Sequence, residues 1–312
     1  MFNALTPNAA AFLAGIFGIL LLASGIVFAL KRAHPDKDYA ELASRVNSWW
    51  VMAGVFAAAM ALSPTLSLLF LAFVSFLALK EYLSLIPTRR ADRRVLFWAY
   101  LAIPAQFYWV ATGWYGMFII FIPVYLFMFL PMRMVLVGET SGFLRAAGSL
   151  HWGLMLTVFN LSHMAFLLVL PKEINPAGGG AGLVLFLMFL TQFNDVAQYV
   201  WGKLFGKHKI IPKVSPKKTW EGFLGGIATT TLAAWALAPH LTPLVGWEAP
   251  AAGLLIGLAG FVGDVNISAL KRDLGIKDSG SLIPGHGGIL DRVDSLTFTA
   301  PLFFHFLYYL HY

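Results

Sequence analysis

The residues best equipped for chemistry lie between Ser268 and Asp294. There Lys271, Arg272, Lys277 and Arg292 stand among the carboxylates Asp278, Asp291 and Asp294. Asp291 and Asp294 are three residues apart, which puts both on one face at the start of a helix. Gly285, Gly287 and Gly288 let the backbone approach a ligand closely. Ammonium and guanidinium groups beside hard oxygen donors are the parts that hold a metal–nucleotide. Mg²⁺ takes one or two carboxylates plus phosphate oxygens, and phosphoryl-transfer chemistry needs mainly positioning and charge neutralisation. His286, between two glycines, reads equally as a phosphate or proton-transfer contact and as a structural residue.

A second polar stretch runs from Asn194 to Glu221. Within 203–221, Lys203, Lys207, Lys209, Lys213, Lys217 and Lys218 alternate with Ser215, Thr219, Pro and Gly and lead directly into an apolar helix. A plain basic loop explains the lysines but not the interleaved hydroxyls. Lysines and hydroxyls at a helix N-terminus can hold a polyphosphate by charge, hydrogen bonds and the helix dipole. Glu221 reads as support for a metal or base site, or as an ordinary first-turn carboxylate. Asn194, Asp195 and Gln198 interrupt one apolar run, with Asp195, Tyr199 and Lys203 sharing a helix face. Asp264, Ser268 and Lys271 share a face in another. An intramembrane carboxylate costs about 2.5–3.5 kcal/mol on insertion scales and therefore faces a polar interior. The alternative for each is a structural Asp–Lys pair that fastens helices.

These side chains must be positioned by membrane helices. Of the 312 residues 59% are hydrophobic and 12% charged, against about 25% charged in a soluble domain. Apolar segments fall at 9–30, 49–62, 65–79, 95–113, 117–137, 151–170, 182–202, 222–239, 250–269 and 295–311. The expected fold is all-α: a polytopic integral membrane bundle of about ten transmembrane helices. Residues 1–150 are the lipid-facing scaffold, and 151–312 the catalytic region with loops 203–221 and 270–294. The segments at 49–62 and 65–79 are short for a bilayer and are separated by Ser63-Pro64; they are two tilted helices or one re-entrant hairpin. With both termini outside, the inner loops are 31–48, 80–94, 138–150, 203–221 and 270–294. Counting Arg133 at an inner helix end, Lys172 alone of the 22 Lys and Arg is outside. This bias sets the orientation and places both polar stretches in the cytoplasm.

The net charge of +7 is explained by these loops, with anionic lipid or nucleotide as partner rather than nucleic acid. The absence of cysteine excludes disulfides, thiolate metal sites and a Cys nucleophile. Arg89, Arg90, Arg93 and Arg94 read as an orientation signal that contacts lipid headgroups. Asn175 to Gly182 reads as a flexible outer loop without the Lys and Ser/Thr of a P-loop.

The stretch Ser268-x-Leu270-Lys271-Arg272, Lys277-Asp278-x-Gly280, Ile283-Pro284-x-His286-Gly287-Gly288-Ile289-x-Asp291-Arg292-x-Asp294 resembles the signature of phosphatidate cytidylyltransferases, also called CDP-diacylglycerol synthases. The upstream stretch Asp195, Tyr199, Gly202-Lys203, Gly206-Lys207, Pro212, Ser215-Pro216-Lys217-Lys218-Thr219-Trp220-Glu221-Gly222 is similar to that family's preceding segment. The resemblance covers about 190–300; the first 150 residues match only as a run of membrane helices. It implies the reaction of CTP with phosphatidate to CDP-diacylglycerol and pyrophosphate. It also implies Mg²⁺, with a supporting monovalent ion such as K⁺ compatible with the site, and a homodimer in a bacterial inner membrane. By position Asp264 and Asp291 resemble the metal-binding aspartates. Lys271, Arg272, Lys277, Asp278, His286, Arg292 and Asp294 fall in the catalytic signature. Asp195, Lys203, Ser215, Lys217, Lys218, Thr219, Glu221 and Ser268 fall on the substrate side. Gln198 stands where the family resemblance implies a small residue, usually Ala. With Asn194 it makes that wall of the pocket bulkier and more polar.

Three other readings compete. One is a cytidylyltransferase for a different lipid phosphate. A second is a CTP-dependent lipid kinase, which would release CDP. The third is an ion transporter using Asp195 and Asp264, against which the polar residues cluster on the inner side alone. A CDP-alcohol phosphotransferase lacks its D-G-x-x-A-R pattern here.

Overall fold

The computed structural model describes residues 5–282 and 287–312. Each of the ten apolar segments becomes a helix, and among the described residues there is no β-strand longer than the isolated bridge Lys209–Thr219. The helices are α1 (Pro7–Ala33), α2 (Ala40–Leu62), α3 (Pro64–Leu85), α4 (Arg93–Ala111), α5 (Tyr115–Val135), α6 (Phe143–Val169), α7 (Gly179–Phe205), α8 (Trp220–Leu241), α9 (Glu248–Asp273) and α10 (Leu296–His311). Seven of them, α1, α3 and α5 to α9, are long and apolar enough to cross a membrane. The chain is an integral membrane protein of helical bundle type.

The segments that look short in the sequence are full helices. α2 has 23 residues and α3 has 22, or roughly 33 Å each at 1.5 Å per residue, enough for a core of about 30 Å. α2 gains its length from the polar start Ala40–Ser48, which hydropathy does not register. Ser63 ends α2 and caps α3, its hydroxyl accepting from Leu66 N at 3.1 Å. Pro64 follows at the first helical position, where its missing N–H has no intrahelical partner to lose. Both segments are therefore complete helices joined at Ser63; of the two, α3 alone is also apolar enough to cross a membrane.

α5 and α6 each contain a widened π turn, Phe121–Leu126 and Met155–Asn160. α6 begins eight residues before its apolar run, at Phe143. The turn at Asn175, read from the sequence as flexible, is fixed in place. Asn175 is buried, and its amide donates to Gly179 O at 2.8 Å and Leu241 O at 3.0 Å. Arg89 ties the turn before α4 to the turn before α6: it pairs with Asp92 at 2.7 Å and donates to Glu139 O and Ser141 O.

The core lies where α6, α7 and α10 meet, around Leu183–Leu187, Leu190, Phe303 and Phe304. α7 packs along α8, and α9 crosses both α8 and α10. Gly263 brings α9 against the chain entering α10. A Cβ there would stand 2.6 Å from Asp294 O and 3.0 Å from Ser295 Cα. That contact sets Asp264 beside Asp294.

Candidate active site

Two carboxylate–ammonium pairs organise the site. In the first, Lys218, just ahead of α8, pairs with Asp264 of α9 at 2.6 Å. The same ammonium donates to Gln198 Oε1 at 3.1 Å and lies 5.5 Å from the ring centre of Phe261. Ser268, one turn along α9, donates to Asp264 Oδ1 at 3.2 Å, as their four-residue spacing predicts. Burial opposes the charge on Lys218, but Asp264 and Asp195 outweigh it and hold its pKa above the ordinary value. The group is therefore a fixed cation.

Asp195 and Asp294 stand beside this pair and feel its charges. Asp195 Oδ2 accepts from Ser295 Oγ at 3.0 Å, while its Oδ1 is buried with no hydrogen-bond partner among the described residues. Asp294 accepts from Ser295 N at 2.7 Å. Burial first, then the negative charges of Asp264 and Asp195, push the Asp294 carboxyl well above the usual carboxylate range. Crowding of like charge in a desolvated place is the cause.

The second pair is Lys271 of α9 with Asp291 at 2.6 Å; both side chains are nearly enclosed, 11% and 6% exposed. Asp291 heads the helical turn Leu290–Val293. Its Oδ2 accepts from Ser279 N at 2.8 Å and Gly288 N at 3.0 Å. Burial alone would raise its pKa. The Lys271 and backbone hydrogen bonds outweigh that and hold it below the ordinary value. Lys271 also offsets the charge on Asp294, so the two pairs belong to one electrostatic unit.

A functional residue absent from the sequence reading joins them. Glu81 of α3 accepts from Ile289 N at 2.9 Å, from Leu290 N at 3.0 Å and from the Ser279 hydroxyl. Gly280 and Gly288 leave room for its carboxylate, which a Cβ at either position would crowd. Glu81 thus ties the half read as scaffold to the Ser268–Asp294 stretch. Its signal in the sequence is small: Lys80-Glu81 supplies the charge in an otherwise uncharged helix.

The remaining residues separate by placement. Arg272 joins the two polar stretches, donating to Val214 O at 3.3 Å and Ile276 O at 3.0 Å. Lys203, Lys217, Lys277 and Asp278 are exposed, and Ser215 is half-buried. Arg292 is half-buried, with a buried Nε that has no partner among the described residues. Thr219 and Glu221 serve the loop's own architecture. The Thr219 hydroxyl accepts from Gly222 N as the cap of α8. Glu221 accepts from Lys207 N at 3.0 Å and pairs with His208 at 2.6 Å. These bonds engage the oxygens of Glu221 and one lone pair of Thr219, whose hydroxyl can still donate. Tyr199 is 62% exposed and does not share the enclosed setting of Asp195. Asn194 does not line the pocket: fully buried, it donates to Gly257 O at 3.3 Å and accepts from Thr230 at 3.2 Å, fastening α7 to α8 and α9. Ile283, Pro284, Gly285 and His286 lie outside the described residues.

Comparison with known proteins extends the match beyond the two polar stretches. The cytidylyltransferase family profile covers residues 43–310, so most of α2 and all of α3, and with it Glu81, lie inside it. An uncharacterized protein of Escherichia coli K12, YnbB, is 46% identical over 297 residues, spanning 95% of this chain and 97% of its own. The phosphatidate cytidylyltransferase of Mycobacterium leprae is 43% identical over 132 residues, 42% of this chain and 40% of that protein. The phosphatidate cytidylyltransferase of Haemophilus influenzae is 40% identical over 136 residues, 42% of this chain and 47% of that protein. The match to these two enzymes thus spans less than half of their length. A profile running through both halves of the chain, over the helices that carry the two carboxylate–ammonium pairs, shows that this membrane protein is a nucleotidyltransferase belonging to the cytidylyltransferase family.

Proposed function

We propose that the protein transfers the cytidylyl group of CTP to phosphatidate, giving CDP-diacylglycerol and pyrophosphate for phospholipid synthesis. The observation that carries this reading is the pairing of Asp264–Lys218 with Asp291–Lys271 at neighbouring helix ends. A phosphate oxygen of the lipid attacks the α-phosphorus of CTP. The new P–O bond forms as the bond from the α-phosphorus to the bridging β-phosphate oxygen breaks, and pyrophosphate leaves. The lipid phosphate is already an anion, so no strong base is needed. The barrier is the approach of one anion to another, and fixed cations lower it. Lys271, buried, and Lys218, half-buried, are ammonium groups held in place before substrate arrives. Arg292 adds a guanidinium with a free buried N–H among the described residues.

Mg²⁺ fits this donor set. Asp264 and Asp291 would hold it, with Asp195 and Asp294 beside Asp264. Asp195 offers a buried carboxylate oxygen without a partner among the described residues. No three His, Cys, Asp or Glu among those residues converge to hold an ion alone, so such a cation would need its remaining ligands from phosphate oxygens. Bound there, the ion supplies Lewis-acid charge stabilisation of the phosphates. The loop-charge asymmetry supports a site on the cytoplasmic face of a bacterial inner membrane, open to CTP on one side and lipid on the other.

The test is incubation of the purified protein with labelled CTP, Mg²⁺ and phosphatidate. CDP-diacylglycerol and pyrophosphate are the expected products, and Asp264→Ala should lower their formation by ~10²- to 10³-fold, the scale of removing a principal charge stabiliser. Release of CDP with a phosphorylated lipid, or turnover of other lipid phosphates alone, would overturn the substrate assignment.

A further inference from the structure

Gln198 sits on α7, one turn beyond Asp195, and is 4% exposed. Its amide orientation is settled by chemistry. Lys218 Nζ can only donate, so the oxygen of the amide must face it, at 3.1 Å. The amide nitrogen then points elsewhere, and it is buried with no hydrogen-bond partner among the described residues. A buried donor left unmade is unfavourable and calls for an acceptor. The fold also makes space for this side chain. A Cβ on Gly226 of α8 would collide with Gln198 Cγ and stand 3.0 Å from its backbone nitrogen. The amide is therefore packed, oriented, and one hydrogen bond from the Lys218–Asp264 pair.

We propose that the Gln198 side-chain N–H₂ donates to a phosphate or ester oxygen of bound substrate, and that Gln198 is a specificity-determining residue of the site. The proposal rests on the cytidylyl-transfer reading above. Its oxygen fixes Lys218 and its nitrogen reads an acceptor, so one amide couples the resident cation to the ligand. The acceptor belongs either to the triphosphate of CTP or to the lipid phosphate and its ester linkage, two sources with shared oxygen chemistry.

The experiment uses the purified full-length protein in three forms: wild type, Gln198→Met and Gln198→Glu. Met keeps the volume and removes both polar atoms. Glu keeps an oxygen for Lys218 and removes the donor. KM is measured for CTP at saturating phosphatidate and for phosphatidate at saturating CTP, alongside equilibrium binding of labelled CTP without lipid. Both variants should raise KM for one substrate by about tenfold, the loss of one hydrogen bond to a charged acceptor, with kcat changed less. A rise confined to CTP, matched by weaker CTP binding, assigns the donor to the nucleotide; a rise confined to phosphatidate, with CTP binding unchanged, assigns it to the lipid. Wild-type KM values in Gln198→Glu would overturn the proposal, leaving Gln198 only to position Lys218. Unchanged KM values in a folded Gln198→Met would overturn both roles. A wild-type protein that makes no CDP-lipid would fail the functional reading itself, and this inference with it.

Discussion

Lys218 and Lys271 each hold a carboxylate at 2.6 Å, yet the two pairs carry different burdens. Asp291 receives an ammonium and two backbone N–H groups, and its folded-state pKa falls below the ordinary 3.8. A depressed carboxyl stabilises the fold fully above its unfolded pKa, and that contribution is lost as pH falls through the folded value. Asp291→Asn should therefore lower stability by about 3 kcal/mol near neutrality, since it strands a buried ammonium. As pH falls below the ordinary carboxyl range the gap to wild type should close, because the wild-type carboxyl then becomes protonated as well. Thermal melting of both proteins across that range checks the sign; a gap that widens on acidification would refute it. Asp264, Ser268 and Lys271 were legible in the sequence, because spacings of four and three on one helix need no knowledge of other elements. Asn194 was not. A buried amide within an apolar run looks the same whether it lines a pocket or ties three helices. Only the positions of Thr230 and Gly257 settle which it does.

At the scale of elements, the informative contact is the one from α3 to the turn at Ile289–Leu290. Glu81 makes three hydrogen bonds across 198 to 209 residues of sequence. Glu81→Ala leaves two backbone donors and one hydroxyl without their acceptor, so the segment bearing Asp291 loses its fixed register. We expect kcat to fall by ~10- to 100-fold, as a displaced charge weakens preorganised stabilisation. Glu81→Gln, with one acceptor oxygen left, should retain more activity than Ala. Steady-state kinetics of the two variants checks this order; wild-type kcat in Glu81→Ala would rule the clamp out. Local pattern had no means of showing Glu81, since a Lys-Glu pair ending an apolar helix has an ordinary explanation at the membrane interface. The ten helices themselves were legible because hydrophobic runs are dictated by the bilayer. Their polar extensions, at Ala40–Ser48 and Phe143–Leu150, and the π turns of α5 and α6 were not, since these depend on neighbouring helices rather than on lipid.

For the whole molecule, the distribution of basic residues makes a directional statement that the absence of cysteine renders easy to examine. In intact cells, a membrane-impermeant maleimide should label Lys172→Cys and spare Lys217→Cys until the membrane is opened; the opposite pattern would invert the proposed orientation. The contact between Glu81 and the turn that presents Asp291 also bears on how such proteins can exchange parts. The portion shared with the Mycobacterium and Haemophilus enzymes is less than half of either chain, which suggests a transplantable module. The clamp argues otherwise. A graft of residues from about 190 onward would arrive with its backbone donors at Ile289 and Leu290 but without the acceptor that satisfies them. A recipient would have to supply a carboxylate at the depth of Glu81 to satisfy those donors, so a chimera that also carries α3 should outperform one that carries the signature stretch alone.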